Sequence, residues 1–362
     1  MTSTLKFLHP IDGDMLHAND GVTTGESLKI KVKIAAPAHS QITVNGTQAV
    51  YTEDGFTAEV SLDSYENLLE ACEESSGEKR SIRVYRLKNF ANKYRLSIDD
   101  NIWFLRDIQD HMDRYNSLFD NPYLSFLKNV NEQYGTKVHL NLFYQTDGIF
   151  QKDDFNLSKF TDKFKGEWKE NADWLTLSFH ALGEFPDQPY MRAGYDETKK
   201  DCDLVIGEIK RFAGEEVMTN VTTIHWGEAS REASRVLRDA GYTGQLGYFN
   251  VDDDQYPASY YLSEDERRHI KKRFIWKDHS EDITFIKTSI VIDTKKLEEI
   301  VPHLDAYIQN ANKPPYLDLL VHEQYFYPFY FNYQPDYREK ILAAVKWAQD
   351  HHYEPAKLGD CI

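Results

Sequence analysis

The chain has 362 residues and a formal net charge of −17, with 42 lysines and arginines against 59 aspartates and glutamates. That length supports two domains, each with its own core, and the acidic balance, broken by no basic run, excludes nucleic acid and anionic membrane as partners. The first twenty residues hold no apolar signal core, no run of about eighteen apolar residues occurs anywhere, and Cys72, Cys202 and Cys361 form neither a disulfide framework nor a zinc spacing. The expectation is a cytoplasmic protein, although a secreted one trimmed of its leader would read the same.

Residues 28–34 alternate without fault, Leu28, Ile30, Val32 and Ile34 standing between Lys29, Lys31 and Lys33, the period of a strand with one wet face. Residues 42–44 and 49–51 flank Asn45-Gly46, which predicts a hairpin, and Phe56, Ala58, Val60 and Leu62 alternate before a further strand at 82–84. Short strands at this spacing predict a β-sandwich over residues 1–90.

After Lys93 the rhythm changes. Strands are expected at 94–99, 138–145, 175–180, 217–225, 245–249, 283–292 and 316–322, and amphipathic helical stretches near 102–115, 123–134, 157–170, 196–212, 231–240, 295–310 and 337–351 separate most of them. Strand–helix alternation implies a parallel sheet in an α/β domain, and about seven units over residues 91–362 predict a distorted (β/α) barrel. An open doubly wound sheet is the alternative, but no Gly-rich dinucleotide fingerprint follows the first strand.

The metal-competent side chains fall at expected strand ends, where a parallel barrel gathers its chemistry. Asp99 and Asp100 close the first strand, and neighbouring carboxylates push their pKa values apart, so one can hold a cation while the other moves a proton. Consecutive strand residues point to opposite faces, however, so both line one pocket only where the strand ends or bulges. Capping of the next helix is the bland alternative. His180 closes the third strand and Glu184 follows at helical i+4 spacing, suited to one metal in a helical turn, although Gly183 and Pro186 argue against a helix there. His225 ends the fourth strand as a candidate ligand or orienting group, beside Trp226 as a candidate sugar-stacking wall. That role accords with the aromatic content of 14%, although packing explains the tryptophan equally well. His322 ends the last strand as a candidate general acid, with Glu323 free to point into solvent. Asp252-Asp253-Asp254 reads as a solvated loop.

In order, Ser97-Ile98-Asp99-Asp100, His180 with Glu184, 224–230 leading into 236–242, and Leu319-Leu320-Val321-His322 resemble the motifs of the polysaccharide deacetylase family over residues 94–360. The strands before them resemble the immunoglobulin-like modules attached to bacterial carbohydrate enzymes. Glu184 stands in place of the family's second metal histidine, His225-Trp226 in place of an Arg-Pro pair, and no Asp-plus-Trp motif occurs around 250–256. The resemblance implies a distorted barrel and a divalent ion, zinc by preference, held by Asp100, His180 and Glu184. It further implies Asp99 as base, His322 as acid, and removal of N- or O-linked acetyl groups from a carbohydrate. His225 would orient the base or add a ligand. Two other readings stand beside it: a metal-free glycoside hydrolase pairing Asp99 with Glu228 or Glu323, and a non-catalytic carbohydrate-binding or scaffolding protein.

Overall fold

The computed structural model describes residues 5–147, 155–251, 259–309 and 313–362. The chain divides into two compact units, one of residues 1–91, 275–279 and 361–362, the other of residues 92–274 and 280–360. The protein is of mixed α/β class, with antiparallel pairing prevailing in the first unit and parallel pairing in the second.

In the first unit, Ser27–Ala35 buries Leu28, Ile30, Val32 and Ile34, and pairs antiparallel with Lys6–His9, Gly21–Thr24 and Gly55–Leu62. A second sheet runs through Met15–Leu16, Glu78–Arg86, Glu66–Glu73, Ile42–Val44 and Thr47–Gln48. The apolar faces of both sheets share one core, Ile30, Val32 and Val60 of one meeting Val44, Leu69 and Val84 of the other. The predicted hairpin is shorter than expected. Asn45 and Gly46 both take positive φ (48° and 77°), the two-residue turn that pairs Val44 directly with Thr47. Val50–Thr52 then crosses to the other sheet, where it pairs with Gly55–Leu62.

The second unit alternates strands and helices, with two departures from expectation: the strand expected over 283–292 splits into Ile283–Lys287 and Ile290–Val291, which join different sheets, and the helix Glu264–Arg273 was not expected. Its strands are β1 (Lys93–Asn101), β2 (Val138–Phe143), β3 (Leu175–Ala181), β4 (Val221–Thr222), β5 (Gly244–Gly247), β6 (Ile283–Lys287), β7 (Ile290–Val291), β8 (Tyr316–His322) and the two-residue β9 (Glu354–Pro355), which pairs with the start of β1. Its helices are α1 (Trp103–Asp110), α2 (Pro122–Tyr134), α3 (Lys165–Glu170), α4 (Tyr195–Phe212), α5 (Arg231–Asp239), α6 (Glu264–Arg273), α7 (Leu297–Gln309) and α8 (Tyr337–Asp350). One parallel sheet runs β3-β2-β1-β8-β7, and a second runs β4-β5-β6. Isolated backbone bonds link them on both sides: Leu177 N–H to Val217 O at 2.8 Å, and Thr288 N–H to Gly247 O with Ser289 N–H to Asp318 O at 2.9 and 3.1 Å.

Within the larger sheet the two faces differ in chemistry, because strand side chains alternate with a period of two. One face carries Leu96, Ile98, Leu140, Leu142, Leu177, Phe179, Leu319 and Val321, all buried, and α4 and α8 lie against the strands. The other carries Arg95, Ser97 and Asp99 on β1, His139 and Asn141 on β2, Ser178 and His180 on β3, and Asp318 and His322 on β8. Parallel register sets these polar residues side by side: Arg95 opposite Asp318, Asp99 opposite His322, and Asn141 opposite Ser178.

Outside that face, Arg231 and Arg235 of α5 donate to the Glu281 carboxylate at 2.6–3.0 Å, and Arg238 lies 3.5 Å from it. The Arg235 bond, against the opposing effect of burial, pulls Glu281 down to about 2. A depressed carboxylate stabilises the fold above its unfolded pKa, and that contribution is lost as pH falls through about 2. Glu281→Gln should therefore cost roughly 1–2 kcal/mol at pH 7, discounted for the part-exposed arginines. Urea unfolding of wild type and variant should converge as pH is lowered from 5 towards 2.

Candidate active site

A bulge at the end of β1 meets the geometric condition set by two adjacent aspartates. Between Ile98 and Asn101 the strand carries one residue more than β2, and Asp100 sits at φ 62°, a left-handed conformation that aspartate tolerates better than most residues. The Asn101 amide pins the bulge, donating to Ile98 O and Asn141 O at 2.6 and 3.0 Å. Asp99 and Asp100 thus both line one cavity of about 550 Å³ although they are consecutive, a volume within the range of small-molecule sites.

His180, at the end of β3, donates from Nδ1 to Thr223 O at 2.6 Å, so its Nε2 faces Asp100 Oδ1 at 3.0 Å, as a proton donor to that oxygen or, with a cation between them, as a ligand. His225 donates from Nε2 to Glu184 O at 3.1 Å and turns Nδ1 to His180 Nε2 at 3.1 Å and to Asp100 Oδ1 at 3.3 Å. The other oxygen of Asp100 accepts from Gln324 Nε2 at 2.6 Å. Three potential ligand atoms therefore converge in a buried site, each held from behind by a hydrogen bond of the kind that orients metal ligands. Bonds of about 2.0–2.1 Å in a tetrahedron place neighbouring donors roughly 3.3 Å apart, close to the observed 3.0–3.3 Å. The donor set fits a divalent cation such as zinc.

The third donor differs from the sequence expectation, which assigned Glu184. Residues 182–185 form no helical turn, so the i, i+4 spacing from His180 brings no shared face. The Glu184 carboxyl lines the cavity, where burial and the charge of Asp100 push it up to about 9. Its backbone carbonyl, by contrast, fixes the tautomer of His225. The strand expected over 217–225 is confined to Val221–Thr222, and Trp226 and Gly227 at φ 67° and 61° turn the chain sharply after His225. Trp226 stands 40% exposed at the cavity.

The two aspartates diverge as neighbouring carboxylates should. Burial raises Asp99, whereas for Asp100 the bonds to His180 and His225 outweigh burial and hold it well below the usual range. Asp99 accepts from Asn141 Nδ2 at 2.6 Å. That contact ends a chain in which every donor is dictated by chemistry. Arg95 can only donate, and does so to Asp318 Oδ1 at 2.7 Å and to His139 Nδ1. His139, kept neutral by burial and by Arg95, then donates from Nε2 to Ser178 Oγ at 2.7 Å. Ser178 donates to Asn141 Oδ1, leaving the Asn141 amide to face Asp99.

At the end of β8, His322 reaches Asp293 Oδ2 through its backbone N–H at 2.6 Å and through Nδ1 at 2.9 Å. Burial opposes protonation, but Asp293, followed by Asp100 and Asp99, raises His322 to about 10. Asp293, Asn141 and Gln324 were missed in the sequence. Asp293 directly follows an expected strand and obeys the strand-end rule, and Asn141 interrupts a buried apolar run, so both left a signal; Gln324 left none.

Glu323 does not point into solvent. Its buried carboxylate accepts from the backbone N–H of Ile102, Trp103 and Phe104 at 2.6–2.9 Å and from Tyr327 Oη at 2.8 Å. It supplies the cap that Ile102, with no capping side chain, cannot. Burial pushes it up to about 7 against those donors. Being occupied in this way, it is no partner for Asp99 in a two-carboxylate mechanism. Glu228 is buried and lines the cavity. Asp252, Asp253 and Asp254 lie outside the described residues.

No family model matches the chain, and no curated protein does. Among solved structures it is similar to one titled a "putative alpha-galactosidase" from Bacteroides fragilis, at 10% identity over 98% of this chain and 80% of that one, with a TM-score of 0.26. A likeness that low carries no argument about fold or activity. No helix among the described residues is long and apolar enough to cross a membrane.

Glu323→Ala would leave three buried amide N–H groups without their acceptor. The expected cost is roughly 2–4 kcal/mol, read as a lowered urea midpoint with faster hydrogen exchange at residues 102–106.

Proposed function

We propose that the protein is a metal-dependent hydrolase that removes N- or O-linked acetyl groups from a carbohydrate. The convergence of Asp100 Oδ1, His180 Nε2 and His225 Nδ1 within 3.0–3.3 Å of one another carries the reading, because three lone pairs at that spacing repel unless a proton or a cation lies among them. Held there, a zinc ion would polarise an acyl carbonyl and acidify water at its open position.

The chain's own residues divide the proton traffic. Asp99, kept as an acceptor by Asn141 and raised by burial, takes the proton of the water that attacks the acetyl carbon. The C–N or C–O bond then breaks. His322, oriented through Nδ1 by Asp293 and protonated across the neutral range, gives its Nε2 proton to the departing nitrogen or oxygen. Acetate and the deacetylated sugar result. Trp226 offers a sugar ring an apolar face at the cavity mouth. The same reading takes the two linked parallel sheets as one distorted barrel of the polysaccharide deacetylase kind, and the first unit as an immunoglobulin-like module.

The purified protein should bind about one zinc ion with its ligands intact, and His180→Ala should bind none, both read by elemental analysis after dialysis. Asp99→Asn should keep the metal while acetate release from acetylated oligosaccharides falls about 10²–10⁴-fold. A chelator should abolish that release. Glycosidic cleavage that survives chelation would instead favour the pair Asp99 and Glu228, both on the same cavity.

A further inference from the structure

The third donor differs from the other two in how it is held. Asp100 and His180 belong to strands of the larger sheet, whereas His225 lies beyond the short β4, in a tight turn. Its tautomer depends on one acceptor, Glu184 O, at 3.1 Å from Nε2. That carbonyl belongs to an irregular segment, and Asp147 braces the segment. The Asp147 carboxylate accepts from Phe185 N–H at 3.2 Å and from the Glu184 amide, so it holds both peptide groups that flank Glu184 Cα and C=O. Gly183 makes room for it: a Cβ on residue 183 would fall 2.8 Å from Asp147 Oδ1 and 3.2 Å from Oδ2. The cheapest relief of that overlap is to push the carboxylate off the turn.

We propose that Asp147 and Gly183 form a positioning turn that sets the cation affinity of the site by aiming His225 Nδ1 through the Glu184 carbonyl. The inference rests on the metal reading above. With the carbonyl in place, Nε2 carries the proton and Nδ1 presents its lone pair to Asp100 and His180. When the carbonyl drifts, the ring can turn or take the other tautomer, and a three-donor site becomes a two-donor one. Neither Asp147 nor Gly183 is itself among the converging donors; the charge of Asp147 also reaches His225 directly, and the Asp147→Asn variant separates that effect from the turn.

Zinc affinity of the full chain, measured by competition with a chromophoric chelator, tests the proposal without reference to activity. Asp147→Ala and Gly183→Ala should each weaken zinc binding about 10–100-fold, the usual scale for groups behind the ligands. Asp147→Asn, which keeps an acceptor oxygen but loses the charge, should recover most of the affinity. Asp187→Ala, which removes another negative charge felt by Glu184 but makes no bond to the Glu184 or Phe185 amides, should bind like wild type. Thermal unfolding of the metal-free forms controls for folding. Wild-type affinity in both Asp147→Ala and Gly183→Ala, alongside loss in His225→Ala, would overturn the positioning turn and leave the metal site standing. Equal weakening in Asp147→Asn, Asp187→Ala and Asp147→Ala would replace it with a plain charge effect. Failure of the wild-type protein to bind zinc would sink the metal reading and this inference together.

Discussion

The site depends on one extra residue in β1. A regular strand would send Asp99 and Asp100 to opposite faces, one into the cavity and one under the helices, where an ionised carboxylate has no partner. The bulge and the left-handed φ of Asp100 turn both inwards. Such a backbone costs free energy, of order 1–3 kcal/mol, and persists because its surroundings over-determine it. The Asn101 amide bridges the bulge to β2, and Glu323, arriving from β8, seizes the first three amides of α1 directly after it. The segment that carries both aspartates is thus tied at its front by β2 and at its back by β8.

From that constraint the electrostatic division follows. Asp100 faces two imidazoles and is held ionised, whereas Asp99 faces an amide and buried space and is pushed towards the neutral form. Two identical side chains acquire different chemistry because their backbone directions differ. The donor chain from Arg95 through His139, Ser178 and Asn141 strengthens the distinction, since each member can satisfy its neighbours in only one orientation. A polar column through the middle of a parallel sheet is costly unless complete, and this one is paired from the Arg95–Asp318 ion pair to the carboxylate of Asp99.

Much of the site was legible in the sequence, through one rule: polar residues at the ends of apolar, strand-like runs. That rule found Asp99, Asp100, His180, His225 and His322, and all five line one cavity. The family resemblance, with the i, i+4 spacing from His180, put Glu184 in the ligand set, and that spacing gives a shared face only on a helix. Gly183 and Pro186 argued against that helix from the start, and the chain there does not form one. The strand-end rule left Glu323 to solvent, because whether a strand-end carboxylate faces water or a neighbouring helix terminus depends on which helix lies beside it. The hairpin at Asn45-Gly46 shows the same limit in the first unit: the turn was readable, but the jump of Val50–Thr52 to the other sheet was not.

By itself the sequence determined most of the alternation of strands and helices, the wet and dry faces of the alternating strands near 28–34 and 56–62, the change of architecture near Lys93, and five of the residues that line the site. These follow from local periodicity and side-chain chemistry, which neighbouring residues report without knowledge of the fold. Tertiary structure alone decided that the His225 ring rather than the Glu184 carboxyl stands against Asp100 and His180, that Asp293 bonds His322, and that Asn141 faces Asp99. It also decided that Glu323 serves α1. Each of those outcomes is a hydrogen bond between residues tens to hundreds of positions apart, and it depends on which backbone or side-chain partner the folded chain brings within 3 Å or so.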